Sequence, residues 1–278
     1  VNEISDEGNC FLLDMNGLDT TPKISMNDDP KEIWISYDIY CPSPDGGPNK
    51  ATYLIDIHDD DEDVLQDFEF TMVCYDCTVS QNPETIDQYT LWEDYIIKSH
   101  DIYIQNGAVL EITGLVGMAP GTNIFVEQGG QLVVNGGKIT NACESYWNGI
   151  DVWGNADMSQ YPTSNQGAVS ILNGGIISHA EHAIQVAKIL NEEVLYRYTG
   201  GIVRCDSAFF LNNMQDVSFY QYTNVEPSTQ ADIPNRSYFY DTEFINDELC
   251  TKQVYVNLNR VDGIRFQGCA FSNNTSQD

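Results

Sequence analysis

From about residue 89 onward, the chain repeats a short pattern of apolar and polar positions. Gly107-Ala108-Val109-Leu110-Glu111-Ile112 aligns with Gly129-Gly130-Gln131-Leu132-Val133-Val134 at an offset of 22 residues. Further copies begin at Gly167, Gly200 and Gly263, and in several of them a second short apolar stretch follows a glycine or another small residue. Repeats with a period of about 20 to 50 residues are typical of solenoids.

The ends of these apolar stretches share one form, in which a bulky apolar residue is followed by small or amide residues. The examples are Ile177-Ser178-His179, Phe210-Leu211-Asn212-Asn213, Phe244-Ile245-Asn246-Asp247 and Phe271-Ser272-Asn273-Asn274. Successive coils of a parallel β-helix lie about 4.8 Å apart, so equivalent apolar residues stack inside it. Asparagine amides can bond along such a ladder and tolerate the left-handed backbone of a corner. The pattern predicts a right-handed parallel β-helix over residues 89–278.

Residues 1–88 carry a different pattern. Residues 33–40, 53–57 and 68–74 are rich in β-branched and aromatic residues and alternate in part, without a helical period. Three such strands predict a small β-sandwich-like module. Residues 80–90 have the composition of a linker. The predicted fold class is therefore all-β, with a β-helix preceded by this module.

Charge narrows the set of partners. The chain has 42 Asp and Glu against 12 Lys and Arg, a formal net charge of -30. Such a surface repels phosphate backbones and anionic membranes, so nucleic acid is a poor candidate partner. We expect no membrane insertion either, because no apolar run approaches the roughly 18 residues that span a bilayer.

The same charge makes Ca²⁺ a candidate cofactor, since carboxylate oxygens are its preferred ligands. One candidate loop is the acidic run that contains Asp59, Asp60, Asp61 and Asp63. The other contains Asp14, Asn16 and Asp19, which resemble the opening of a calcium loop but lack a later acidic ligand in register. For both, the alternative is a solvated acidic loop.

The even number of cysteines, 8, fits disulfides in an oxidising compartment. The candidates for pairing are Cys74, Cys77, Cys143, Cys205, Cys250 and Cys269. Free buried thiols and a metal site are the alternatives, although a single CxxC spacing gives zinc little support.

Aromatic residues are the best candidates for contacts, because aromatic faces beside amides bind sugars and partner proteins. The candidate interaction residues are Tyr146, Tyr161, Tyr220, Tyr222, Tyr238 and Tyr240, the last four in a tyrosine-rich stretch, 219–240, that we interpret as a loop. For Trp147 and Trp153 the favoured interpretation is instead that they pack over the coil.

The run Trp147-Asn148-Gly149-Ile150-Asp151-Val152-Trp153-Gly154, with Cys143 shortly before it, resembles β-helix regions of very large Bacteroidota surface proteins exported by the type IX route. The resemblance covers roughly residues 90–278, and Trp147, Gly149, Ile150, Trp153 and Gly154 form its structural motif. It implies an adhesin-like secreted protein with a signal peptide and a C-terminal sorting domain. Neither is recognisable here, and no polar cap follows the last coil, so we expect a piece of a longer chain, truncated at its C-terminal end.

These features favour an extracellular structural or adhesive segment, such as a stalk, filament or appendage subunit, over an enzyme. Acidic residues do not recur at one position of the coils, whereas a glycosidase needs a carboxylate pair at roughly 5 to 10 Å. The alternatives are a carbohydrate-binding or polysaccharide-degrading β-helix, and a calcium-dependent interaction module. Expected partners are other copies or domains of the parent protein, and cell-surface glycans.

Overall fold

The computed structural model describes residues 79–143, 145–246 and 254–273, together with the backbone of five strands between residues 2 and 74. The chain divides into two compact units, Val1–Thr78 and Val79–Asp278. No helix of the described residues is both long and apolar enough to cross a membrane.

The five strands of the first unit are antiparallel. They are β1 (Asn2–Glu7), β2 (Phe11–Leu12), β3 (Ile39–Tyr40), β4 (Asn49–His58) and β5 (Val64–Cys74). β4 pairs with both β1 and β5, and β2 pairs with β3. The predicted strands 53–57 and 68–74 lie within β4 and β5, whereas the sandwich packing stays a prediction.

The second unit is built from three parallel sheets of seven strands each. Sheet 1 contains β7 (Tyr89–Trp92), β10 (Val109–Ile112), β13 (Gln131–Asn135), β16 (Ala168–Leu172), β21 (Ile202–Asp206), β24 (Tyr238–Tyr240) and β27 (Arg265–Gln267). Sheet 2 contains β8 (Ile96–Lys98), β11 (Leu115–Met118), β14 (Lys138–Asn141), β17 (Ile176–Ser178), β22 (Phe209–Leu211), β25 (Glu243–Asn246) and β28 (Ala270–Asn273). Sheet 3 contains β6 (Glu84–Ile86), β9 (Ile102–Ile104), β12 (Asn123–Val126), β15 (Trp147–Val152), β18 (Ala180–Val186), β23 (Gln215–Phe219) and β26 (Val254–Leu258).

Each strand of these sheets pairs in parallel with the equivalent strand of the next coil, as in a parallel β-helix. The register confirms the repeat read from the sequence, because Val109 pairs with Gln131 and Leu110 with Leu132, an offset of 22 residues. The predicted β-helix is therefore confirmed at the level of its parallel, stacked strands, and its handedness stays a prediction.

The core is a set of stacked columns in which equivalent apolar residues of successive coils touch. The rings of Phe210, Phe244 and Phe271 form one such column, with centroids 5.0 and 4.6 Å apart and planes within 9° of each other. Phe239 and Phe266 form another, at 4.8 Å. These distances match the spacing of neighbouring strands, about 4.8 Å, so the backbone ladder itself aligns the rings.

The corners behave as the asparagine pattern predicts. His179 and Asn212 adopt left-handed backbone conformations, with φ of 53° and 54°. The Asn246 amide donates to the Asn273 Oδ1 of the next coil at 3.0 Å. Asn213 instead links backbones of neighbouring coils, because it donates to the Ile177 carbonyl and accepts from the Ala180 N–H.

Two parts of the second unit differ from the sequence-based expectation. The boundary lies at Thr78/Val79, and the stretch 80–90 predicted as a linker holds β6 and the start of β7. β6 escaped notice because it has three residues, of which Ile86 alone is buried. The tyrosine-rich stretch 219–240 is likewise not a loop throughout, since Tyr238–Tyr240 is a strand of sheet 1 with Phe239 in the core.

Two connections carry additional short elements. Residues 155–166 include the 3-10 helix Thr163–Asn165. After sheet 3 leaves β18, a hairpin forms from β19 (Lys188–Leu190) and β20 (Glu193–Leu195), followed by the 3-10 helix Tyr196–Tyr198. A short surface helix had been one of two interpretations of residues 183–196, and the strand-based alternative is the one that the structure contains.

Candidate binding groove

Three arginines converge on one groove at the outer side of sheet 1. The groove has a volume of about 350 Å³, and its walls are formed by Arg204, Arg236 and Arg265 together with Pro234, Asn235 and Tyr238. We call it the arginine groove. These are three of the chain's 12 basic side chains, in a molecule with 42 acidic ones, so their convergence is a marked local reversal of charge.

Two of the arginines are brought together by the register of sheet 1. Arg204 of β21 pairs with Tyr238 of β24, which pairs with Arg265 of β27. Side chains alternate along a strand, and because Val203 and Cys205 are buried in the core, Arg204 points outward. Two strand spacings separate the arginine backbones by about 10 Å, with the tyrosine between them.

Arg236 comes from the loop before β24, and buried amides hold that loop in place. The fully buried Gln160 accepts the Arg236 N–H at 2.8 Å and donates to the Gly200 carbonyl at 3.0 Å. Asn224, 2% exposed, accepts the Gln160 N–H and donates to the Pro234 carbonyl, both at 2.9 Å. Loop 155–166 therefore positions one wall of the groove.

The protein does not neutralise these guanidinium groups. Within the described part of the chain, none of the three forms an ion pair. Desolvation by burial lowers the pKa of Arg204, and the nearby charge of Arg236 lowers it further, while Tyr238 acts in the opposite direction. A site in which half-buried like charges lack a counter-charge favours an anion as its ligand.

Aromatic rings line the same surface. The rings of Tyr238 and Tyr240 stack with centroids 4.5 Å apart, and the Arg265 guanidinium lies 5.8 and 5.9 Å from them. The Arg236 guanidinium is 5.7 Å from the ring of Tyr161, which is 61% exposed. Three of the predicted interaction residues thus meet at the arginine groove, where cation–π contact holds the arginines in extended positions.

The other three predicted interaction residues lie elsewhere. Tyr146 lies against His179, with ring centroids 6.3 Å apart, and the hydroxyl of Tyr220 donates to Gln185 at 2.8 Å. Tyr222 is 5% exposed and donates to the Met158 carbonyl at 2.7 Å. Burial raises the pKa of Tyr222 to about 12. The prediction of a surface contact is wrong for Tyr222, because its ring packs beneath loop 155–166.

The motif around Trp147 is structural, as the favoured interpretation of its tryptophans held. Trp147 is fully buried and its indole N–H donates to the Ser178 carbonyl at 2.9 Å, while Ile150 lies in the core. A Cβ on Gly149 would overlap the His182 carbonyl, and one on Gly154 would overlap the Thr199 carbonyl. Both glycines allow a neighbouring backbone to approach closely.

Trp153 belongs to a second polar and aromatic cluster, on sheet 3. Its ring packs on Phe125 with centroids 5.4 Å apart, and the Lys188 ammonium lies 3.8 Å above it. Beneath the β19–β20 hairpin lies Asp151, 4% exposed, which accepts the Ile189 N–H at 3.3 Å. Burial raises the pKa of Asp151 to about 7, against the opposing effects of that N–H and of Lys188. The hairpin covers this carboxyl group, so it does not meet solvent.

The cysteine prediction is wrong for two residues. Cys205 and Cys269 are free thiols, because both lie in or beside the core of sheet 1, where Cys269 donates to the Phe239 carbonyl. Cys143 is not one of these free thiols, and its pairing stays a prediction. The side chains of Cys74, Cys77 and Cys250 lie outside the described residues.

The predicted calcium ligands also lie outside the described residues: Asp14, Asn16, Asp19, Asp59, Asp60, Asp61 and Asp63. Within residues 79–143, 145–246 and 254–273, no group of three His, Cys, Asp or Glu side chains is placed to hold a metal ion. The calcium sites therefore stay predictions.

Sequence reasoning missed the arginine groove because it treated the basic residues of the coils as sparse. Arg204, Arg236 and Arg265 lie far apart in the chain, and only recognition of β24 as a rung of sheet 1 aligns Arg204 with Arg265. The signal was the alternation of Tyr238, Phe239 and Tyr240. Comparison of the chain with models of known protein families, with curated proteins and with solved structures gave no match.

Proposed function

We propose that this chain is a non-catalytic, adhesive segment of a large extracellular surface protein, in which a right-handed parallel β-helix acts as a stiff support for a binding groove. The observation that carries the proposal is the arginine groove, built on the outer side of a continuous seven-strand ladder. The resemblance to Bacteroidota proteins of the type IX route supports the same setting.

The ladders suit a support that bears load. Each coil is joined to its neighbours through three sheets, and the buried columns run along all of them. In solenoids, stability is the sum of coils and of the interfaces between neighbouring coils, so a local pull is opposed by many backbone hydrogen bonds together. A groove fixed to such a frame keeps its geometry under tension.

The groups of the groove suit binding better than chemistry. Arginine stays protonated in proteins, so it supplies neither a general base nor a nucleophile at neutral pH. Guanidinium, amide and aromatic groups instead recognise ligands by charge, hydrogen bonding and stacking. Cell-surface glycans, and other copies or domains of the parent protein, are the partners that we propose.

The net charge of -30 fits a protein displayed at high density, because mutual repulsion keeps neighbouring molecules apart. Repulsion of this kind also favours specific local contacts over non-specific association.

The test is immunogold electron microscopy of intact source cells with antibodies raised against the purified chain. We expect label on the cell surface or on appendages before permeabilisation, with an antibody against a cytoplasmic protein as the control for cell integrity. Label that is seen only after permeabilisation would overturn the proposal.

A further inference from the structure

We infer that the arginine groove binds an isolated sugar carboxylate, such as a single uronic acid residue flanked by neutral sugars in a surface glycan. The inference rests on the proposed function and goes further, because it names the chemical class of the ligand and the side chains that recognise it.

The case for an anion begins with the two arginines that lie closest together. Arg204 and Arg236 are both half-buried, each reduces the tendency of the other to hold its proton, and no described carboxylate neutralises them. In a chain with 42 acidic residues, an unpaired pair of this kind has many potential partners and contacts none of them. A bound anion would remove the repulsion and restore the lost hydration with charge-assisted hydrogen bonds.

The geometry favours a small planar anion. Each guanidinium presents parallel N–H donors that match the two oxygens of a carboxylate. Arg236 is fixed from behind by Gln160, whose Oε1 accepts its backbone N–H, and Arg204 is fixed by the ladder. Both therefore meet a ligand at little cost in conformational freedom.

The tyrosines favour a sugar as the carrier of that carboxylate. Tyr238 lies in the groove wall between Arg204 and Arg265, and Tyr240 stacks beside it. Their half-buried rings give a flat apolar face with a polar edge, which suits the alternating C–H and hydroxyl faces of a pyranose. Arg265 is exposed at the open side of the groove and is placed to contact a neighbouring residue of the chain.

The net charge restricts the ligand to one with widely spaced charges. The field of a protein with a formal charge of -30 opposes the approach of a dense polyanion, whose many charges lie within a Debye length of the surface, about 8 Å at physiological salt. A single carboxylate between neutral sugars gains the local attraction of the arginines and experiences little of that repulsion.

The experiment is ligand-observed NMR on the full chain, in 150 mM NaCl at neutral pH, with a trisaccharide in which one glucuronic acid residue is flanked by neutral hexoses. The matched ligand is the same trisaccharide with its carboxyl group reduced to an alcohol. We expect saturation transfer to the acidic trisaccharide and at least about tenfold weaker binding of the reduced one, as the loss of one charge-assisted contact implies.

Variants then assign the site. Arg204→Gln and Arg236→Ala should each weaken binding about tenfold or more, and Arg265→Ala less, because Arg265 is exposed. Arg197→Ala is the matched control, since it removes the same charge from an exposed arginine that does not line the groove, and it should leave the affinity unchanged. Thermal unfolding of each variant checks its fold, and Arg265→Ala keeps the test decisive if a half-buried variant is unstable.

Three results would overturn the inference. They are equal binding of the acidic and reduced trisaccharides, binding that persists in the folded arginine variants, and stronger binding of heparin or of an acidic peptide than of the trisaccharide. Surface labelling of intact cells alongside any of these results would leave the proposed function standing and remove only the ligand.

Discussion

Replacement of Asp151 by asparagine should stabilise the β-helix at neutral and alkaline pH. Asp151 is 4% exposed beneath the β19–β20 hairpin, and burial raises its pKa from 3.8 to about 7. The Ile189 N–H and the Lys188 ammonium oppose this shift without cancelling it. An asparagine has nearly the same shape, can still accept the Ile189 N–H, and never carries a charge.

The magnitude follows from proton linkage. Between pH 4 and pH 7 the folded chain holds a proton on Asp151 that the unfolded chain has released, so stability falls as the pH rises. One pKa unit corresponds to 1.36 kcal/mol, so a shift from 3.8 to about 7 gives a loss of about 4 kcal/mol. Above pH 7 both states are ionised and the loss is constant.

The assay is urea unfolding of the wild type and Asp151→Asn at pH values from 5 to 8.5. We expect the stability advantage of the variant to grow by up to about 1.4 kcal/mol per pH unit until near pH 7, and then to level off. Asp157→Asn, which removes a charge from an exposed loop position, measures the effect of net charge alone. An advantage of Asp151→Asn that does not change with pH would refute the reasoning.

Three further predictions concern packing and exposure. Gly149→Ala should destabilise the chain by about 3 kcal/mol or more, measured by urea unfolding, because its Cβ would overlap backbone of the next coil; Gly174→Ala, at a turn with open space, should lose only about 1 to 2 kcal/mol. Trp147→Phe should lose about 2 kcal/mol in the same assay through a buried hydrogen bond and a small cavity, and an unchanged midpoint would contradict the assignment. In thiol labelling read by peptide mass spectrometry, Cys205, whose pKa is raised by burial, should react only on unfolding, and Cys269, which is partly exposed, should react first; equal rates would argue against this core.

The sequence was informative wherever a coil repeated the spacing of its neighbour. Alternation around Leu110 and Leu132 was sufficient to align two coils, since a register slip of one residue would turn core residues outward. The asparagine corners were readable for a related reason, because a left-handed position restricts the residue types that occupy it.

The rest depended on contacts that spacing does not encode. Loop 155–166 positions Arg236 through Gln160, a contact across 76 residues that no local pattern announces. The pKa of Asp151 depends on a hairpin from the following coil that covers it, and Cys205 stays a free thiol because its neighbours in the column are apolar rings. Three-residue strands such as β6 and β24 are too short for periodicity to separate them from loops.

The stacking of coil on coil also has a consequence for the order of folding. Paired residues of sheet 1 lie 22 positions apart in the chain between β10 and β13, and each later strand of that sheet pairs with the strand one coil before it. Closing such loops costs little extra entropy per added residue, so the chain can fold in sequence, coil after coil, as it emerges from a ribosome or a pore. Each finished rung, such as the ring of Phe244, then presents a flat surface on which the next ring, Phe271, settles. A chain of this kind never needs its last residues in order to fold its first coils.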